Sequence, residues 1–269
     1  MTLRVMTWNL WWRFGPWRER AAGIRSVIAQ QQPDVLCLQE VWSAEGKSFA
    51  AQLAADLGYH HALTDDPFAG QRGEGDAGFH NAILSRAPLE QVTSHPLPRL
   101  DGTPGHRRAL MARTSIDGRS WPVVSTHLDY RFDDSALRQL QAEAILHLVA
   151  SWRDDPDHEP PVVVCGDFNA PPDSDEIRLL TGRRAGPVRN LVLSDAWEHV
   201  GDGPGATWRS DNPHQTATAW PNRRLDYVFV SWPRPKPLGN PVRAWLAGVE
   251  PVDGMVPSDH AAVVVDLHT

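Results

Sequence analysis

Eight side chains able to do chemistry flank short apolar runs in this chain: Asn9, Glu40, His127, Asp167, Asn169, Asp226, Asp259 and His260. The clearest case is Val162-Val163-Val164-Cys165 followed by Gly166-Asp167-Phe168-Asn169. A run of β-branched residues predicts a buried strand, and Gly166 predicts a turn at its end. An acid and an amide then follow, two positions apart. Each residue alone has an ordinary explanation. Asp and Asn shape turns by bonding their own backbone, Asp226 has Arg223 and Arg224 as neighbours, and Asp259 suits a turn. Their recurrence at strand ends, where a rigid sheet presents chemistry, argues for one convergent site.

The donor types agree with each other. Carboxylates with amide and water ligands suit a hard cation such as Mg²⁺, and no Cys/His cluster has zinc spacing. Two histidines with an aspartate partner suit proton transfer and charge stabilisation near neutral pH. Metal, histidine and acid together describe phosphoester hydrolysis, in which an anion is neutralised and a water deprotonated. Serine-nucleophile hydrolysis fits less well, because no Gly-x-Ser-x-Gly elbow is present.

The elements that must hold these groups can be read in order. Strands are expected at residues 3–8, 34–38, 79–84, 109–116, 121–126, 162–165, 225–231, 242–249 and 261–267, with 191–193 leading into Asp195. The second strand ends at Gln39-Glu40, and Asp117-Gly118 predicts a hairpin turn. Helices are expected after Pro16 until Pro33, at 49–57 with Gly58 as the stop, at 135–152 capped by Ser135, and at 175–180 capped by Ser174. Residues 64–78, 96–108 and 201–223 read as loops, the first of them mobile. Strands that follow one another directly, with only three or four helices, predict two packed sheets with helices outside.

The bulk numbers bound the rest. Residues 1–269 read as a single domain without a linker. The 26 Lys+Arg against 33 Asp+Glu leave a net charge of −7, which is not the footprint of a protein that grips duplex by its backbone alone. A bound divalent metal would supply local positive charge for a phosphate substrate. Cys37 and Cys165 fall inside apolar strands and read as reduced core residues. With no signal peptide and no apolar run of about 18 residues, a soluble cytoplasmic protein, monomeric by default, is expected.

Thr7-Trp8-Asn9, Leu38-Gln39-Glu40, Ser125-Thr126-His127-Leu128, Gly166-Asp167-Phe168-Asn169, Arg224-Leu225-Asp226-Tyr227 and Ser258-Asp259-His260 resemble, in order, the motif series of the endonuclease/exonuclease/phosphatase superfamily. The resemblance implies an α/β four-layer α/β/β/α sandwich of two mixed, mainly antiparallel sheets with the site at one edge. It implies a metal-dependent hydrolase using Mg²⁺ or Mn²⁺, with Glu40 as the principal metal ligand and Asn9 and Asp259 completing the surroundings. Asp167 would orient or deprotonate water, Asn169 would hold a phosphate oxygen, and His127 would donate to a non-bridging oxygen. His260, paired with Asp226, would stabilise charge or move a proton, so the base is Asp167 or His260. Trp11 stands where the abasic-site branch carries an acid, and His127 where it carries a tyrosine. Those departures favour generic phosphodiesterase or nuclease action over abasic-site repair, and they put a second metal in question.

Substrate contacts are expected from Asn81, Arg108, Arg138 and Trp11, with Arg107 and Trp12 weighed beside them, whereas Thr207-Trp208 and Asp195-Ala196 read as structural. A nucleic acid, a sphingomyelin-like phospholipid and an inositol phosphate are all compatible substrates. The reading from another class is a non-catalytic module that binds phosphate ligands.

Overall fold

The computed structural model describes residues 1–65, 77–215 and 220–269. Most of the mobile loop expected at 64–78 therefore lies outside the described residues, as does 216–219 within the loop expected at 201–223. The chain opens with β1 (Thr2–Asn9), α1 (Trp17–Gln31), β2 (Val35–Ala44), β3 (Lys47–Ser48), α2 (Phe49–Leu57) and β4 (His60–Leu63). Four longer strands follow: β5 (Gly78–Ser85), β6 (Leu89–Pro98), β7 (Pro104–Ile116) and β8 (Arg119–His127). Next come α3 (Ser135–Trp152), β9 (Val163–Asp167), α4 (Asp175–Leu180), β10 (Val192–Asp195) and α5 (Ala196–Val200). The strands β11 (Asp226–Trp232), β12 (Pro241–Ala247) and β13 (Ala262–His268) complete it.

Two sheets result. One runs β12-β13-β1-β2-β5-β4 with β3 joined to β2, and the other runs β10-β11-β9-β8-β7-β6. Among the described residues only β1–β2 and β8–β9 pair in parallel, so both sheets are mixed and mainly antiparallel. Alternation along each strand sorts side chains to opposite faces. Val5, Cys37, Val123, Val163 and Cys165 meet between the sheets. Their neighbours Met6, Leu36 and Leu38 pack outward on α1 and α2 residues such as Ile24, Ile28 and Leu53. On the other side Val124, Val162 and Val164 pack on Ile145, Val149 and Ile177 of α3 and α4. Three apolar interfaces make four layers, α/β/β/α.

Several local expectations need correction. The loop expected at 96–108 is mostly strand, because β6 runs to Pro98 and β7 starts at Pro104. Pro96 and Pro98 are tolerated because β6 is an outermost strand with a single partner. The edge strand β4 and the short helix α5 were not foreseen. Helix α1 does end before Pro33, with Gln32 left-handed, and α2 stops at a left-handed Gly58. Neither Ser135 nor Ser174 caps a helix through its side chain. Ser135 Oγ instead donates to Glu176 Oε2 at 2.7 Å, and Ser174 Oγ to the Pro171 carbonyl at 2.7 Å. Asp117 and Gly118 both take positive φ in the β7–β8 hairpin, as a type I′ turn requires. No helix among the described residues is long and apolar enough to cross a membrane.

Candidate active site

Strand register gathers the polar residues. β9 lies between β11 and β8, and Asp167 stands opposite Asp226 on one side and His127 on the other. Gly166 makes this approach possible, because a Cβ there would lie 2.1 Å from the Thr126 carbonyl oxygen. In the facing sheet Asn9 pairs beside Gln39, and Glu40 is next. Glu40, expected at a strand end, lies instead within β2, which continues to Ala44. It takes φ 55, and the β2–β5 register shifts between Leu38 and Val41. This is a bulge, the device by which a strand re-aims a side chain next to a site.

Asp167 is the meeting point. Its Oδ2 lies 3.0 Å from Asn9 Nδ2, 3.5 Å from His127 Nε2 and 3.9 Å from His260 Nε2. Its Oδ1 accepts the Asn169 backbone N–H at 2.8 Å. The turn-forming and chemical readings of Asp167 therefore both hold, one on each oxygen. Asn169 itself is left-handed at φ 50, and its Nδ2 donates to the Leu128 carbonyl at 3.1 Å. Asn9 Nδ2 also lies 3.3 Å from Glu40 Oε1 of its own sheet, so Asn9 links Glu40 to Asp167 of the facing sheet. Asp226 Oδ2 bonds His260 Nδ1 at 2.7 Å. Thr207 Oγ1 accepts the Leu225 and Asp226 N–H groups, and Ser258 Oγ donates to the Asn9 carbonyl at 2.7 Å. Thr207 is structural, as expected. So is Asp195, which pairs with Arg224 at 2.6 Å and caps α5 through the Trp197 N–H.

The electrostatics divide the titratable groups. Burial, reinforced by Asp226, raises the Asp167 carboxyl to about 6. Burial, reinforced by Asp259, raises Glu40 to about 7. Burial alone would lower His260, but Asp226, Asp167 and Asp259 outweigh it and hold the ring cationic, well above its usual range. His127 goes the other way. Burial, then the positive charge of Arg107, keeps it neutral.

Among the described residues a cation has two candidate seats. Asp167, Asp226 and His260 offer donor atoms within 4.8 Å of one another, but the 2.7 Å bond commits His260 Nδ1 to Asp226 and favours a protonated ring. Glu40 is the better fit. Its Oε2 is buried without a hydrogen-bond partner, and Asp259 is close enough to raise its pKa. An all-oxygen set of this kind suits Mg²⁺ or Mn²⁺.

The expected substrate contacts fare unequally. Asn81 is buried and donates to the Arg108 carbonyl at 2.8 Å, joining β5 to β7 across the sheets. Arg108 is paired with Asp65 at 2.9 Å. Arg138 is a correction: its Nε bonds Glu176 Oε1 at 2.5 Å and its Nη1 bonds the carbonyls of Asp129 and Arg131, so its donors brace α3 against α4 and the loop after His127. Arg107 does face the carboxylates. It is 8% exposed, its Nε has no partner, and its charge interacts with Glu40, Asp129 and Asp167. Trp11 is half-buried between Arg20 and His214, and Trp12 is buried with its Nε1 on the Gly78 carbonyl at 2.8 Å. Arg20 was missed. It is buried in α1 and donates to the carbonyls of Leu10, Trp11, Trp12, Phe14 and Pro257, which fixes the tryptophan loop beside Asn9.

Residues 6–260 match the family model described as the Endonuclease/Exonuclease/phosphatase family. The chain belongs to that family. Among curated relatives, tyrosyl-DNA phosphodiesterase 2 of Gallus gallus is 27% identical over 264 residues, covering 95% of this chain. The chain spans 64% of that relative's length. The structure of D. rerio TDP2 complexed with single strand DNA product superposes with a TM-score of 0.76 at 21% identity, covering 100% of this chain and 99% of that one. The human Nocturnin catalytic domain with bound sulfate anion gives 0.75 at 24% identity, covering 99% and 93%. At those identities the two structures establish the shared fold.

Proposed function

We propose that residues 1–269 act as one divalent-metal-dependent phosphodiesterase domain that cleaves a P–O bond by in-line attack of water. The observation that carries this reading is the convergence of Asn9, His127 and His260, from both sheets, on one oxygen of Asp167. The family relationship supports a phosphoester substrate, and the tyrosyl-DNA phosphodiesterase 2 relatives support a nucleic-acid diester over a phospholipid or an inositol phosphate.

Asp167 Oδ2 accepts the proton of the attacking water, while the Asn169 N–H on Oδ1 fixes the carboxylate plane. A base whose pKa is raised to about 6 stays ionised at neutral pH and binds the proton more firmly than an ordinary aspartate. His260, kept cationic by Asp226, stabilises negative charge as it develops and gives its Nε2 proton to the leaving oxygen. Neutral His127 and Asn169 hold non-bridging oxygens, and Arg107 adds positive charge from β7. Glu40 and Asp259 would hold Mg²⁺ or Mn²⁺, which when bound neutralises phosphate charge and orients the substrate, with Asn9 completing the surroundings through its Nδ2 on Glu40 while its Oδ1 accepts the Trp11 N–H at 2.9 Å.

A panel of plasmid DNA, single-stranded DNA and RNA, sphingomyelin and phosphorylated inositols, each with and without Mg²⁺, tests the reading. Diester turnover that needs metal is expected, and Asp167→Asn should lower it about 10²- to 10⁴-fold with an unchanged circular dichroism spectrum. Full activity in excess chelator would overturn the metal assignment. Binding of phosphate ligands without turnover of any ester would favour the non-catalytic module.

A further inference from the structure

Beside the site lies a group of exposed aromatic rings that the chemistry above does not use. Tyr130, Phe132 and Trp220 are 60%, 48% and 43% exposed. Phe132 and Trp220 have ring centroids 4.7 Å apart, and the Arg223 guanidinium lies 4.9 Å from one centroid and 4.5 Å from the other. No carboxylate of the described residues forms an ion pair with Arg223. Its packing partners are the two rings.

The rings are tied to the catalytic residues through backbone. Arg223 exchanges N–H···O bonds with Trp208 at 2.8 and 2.9 Å, and Trp208 also bridges to His260. Phe132 and Tyr130 belong to the segment that leaves β8 after His127, and that segment is pinned by the Leu128 N–H to the Asp167 carbonyl at 2.9 Å. Arg107, which faces the carboxylates, lies 6.0 Å from the Tyr130 ring centroid. Aromatic faces and unpaired guanidinium groups thus continue outward from the place where the phosphate would sit.

We infer that the Phe132–Trp220–Arg223 group is a stacking platform for an unpaired nucleobase next to the cleaved phosphate, which makes a single-stranded nucleic-acid segment the substrate. This rests on the phosphodiesterase reading above. Every base offers a π-face to an aromatic side chain, and an arginine over the rings adds cation–π attraction and pairs with backbone phosphate. In a duplex those faces are covered by neighbouring bases. The net charge of −7 also withholds the non-specific electrostatic grip that duplex binding needs. Aromatic rings beside a basic residue also meet lipid interfaces, so sphingomyelin vesicles are the competing probe.

The test compares wild type with Phe132→Ala/Trp220→Ala and with Trp220→Phe, in Mg²⁺. Five probes are used: bis(p-nitrophenyl) phosphate, a single-stranded oligonucleotide, the same oligonucleotide with abasic spacers around one cleavable phosphate, its duplex, and sphingomyelin vesicles. The quantity read is kcat/KM for the oligonucleotide divided by that for the small diester. It should fall about 10- to 100-fold in the double alanine variant, with most of the loss in KM, and should be retained by Trp220→Phe. The abasic probe should penalise wild type and leave the variant indifferent. An unchanged ratio, equal use of duplex, or rings that bind sphingomyelin vesicles and not the oligonucleotide would each overturn the inference. If wild type hydrolyses no probe, the phosphodiesterase reading fails by itself. Fluorescence-anisotropy affinities for the oligonucleotide, weaker in the double variant if the platform exists and equal if it does not, then decide the inference separately.

Discussion

Replacing Glu40 by Gln should make the metal-free protein more stable. Glu40 is held on a bulge of β2 with one carboxylate oxygen buried and unpartnered. Burial and the neighbouring Asp259 carry its pKa from 4.5 to about 7. A carboxyl whose folded-state pKa lies above its unfolded value holds its proton more tightly in the fold. The ionised form therefore destabilises the fold fully above about pH 7, and the penalty fades as pH falls toward 4.5. A displacement of that size corresponds to about 3 kcal/mol at most, and the partial exposure of Glu40 reduces it to roughly 1–3 kcal/mol. Gln keeps an amide oxygen for the Asn9 Nδ2, which lies 3.3 Å from Glu40 Oε1. Urea denaturation in EDTA at about pH 8 should show the variant more stable by that amount, shrinking to under about 1 kcal/mol near pH 5. Saturating Mg²⁺ should reverse the order at the higher pH, because only wild type gains metal binding energy. A variant less stable than wild type at both pH values, or a gap that ignores pH, would refute the reasoning.

Three other perturbations separate charge, geometry and bracing. Asp226→Asn removes the carboxylate that helps hold His260 cationic, so the protonated ring is lost at lower pH. The alkaline limb of the pH–rate profile should move down, with a loss of about 10²- to 10⁴-fold near neutrality; an unmoved limb would contradict the assignment. Gly166→Ala places a Cβ 2.1 Å from the Thr126 carbonyl oxygen and must push β8 and β9 apart. It should cost about 1–3 kcal/mol and several degrees of Tm, checked by calorimetry. Arg20→Met strips donors from five buried or half-buried carbonyls. A loss of about 3–5 kcal/mol and new protease cleavage in residues 10–15 are expected, and an undisturbed melting curve would show that water replaces the guanidinium.

Much of the frame is legible because burial writes a period into the chain. The apolar runs before Asp167 and after His260 announce buried strands, and a polar residue at the end of such a run is conspicuous. Glu40 is equally conspicuous, but its bulge is not, since one extra residue in a strand reads the same as a strand that stops. Strand β6 is hidden because its prolines carry the local signature of a loop, and only its place at the sheet edge, a long-range fact, excuses them. Arg20 and Arg138 fail for a related reason. On a helix either looks like a solvated surface charge, and what buries them is a cluster of carbonyls or a carboxylate brought in from elsewhere: Pro257 for the first and Glu176 for the second.

The contact between the two sheets is mainly apolar, and an apolar surface has little preference among small lateral offsets; buried polar bonds such as Asn81 to the Arg108 carbonyl and Ser85 Oγ to Thr114 Oγ1 cross it. Gln39 is another group that breaks that indifference. It is fully buried there, and its Nε2 reaches Thr7 Oγ1 on β1 and Ser125 Oγ on β8, both at 3.3 Å. It works as a locating pin between two plates. Asn9 and Glu40 ride on one plate and His127 and Asp167 on the other, so the pin sits two residues or fewer from three of the four. Fine alignment across the cleft is thus shared by amides and hydroxyls inside the sandwich, out of reach of whatever the surrounding loops have been shaped to hold.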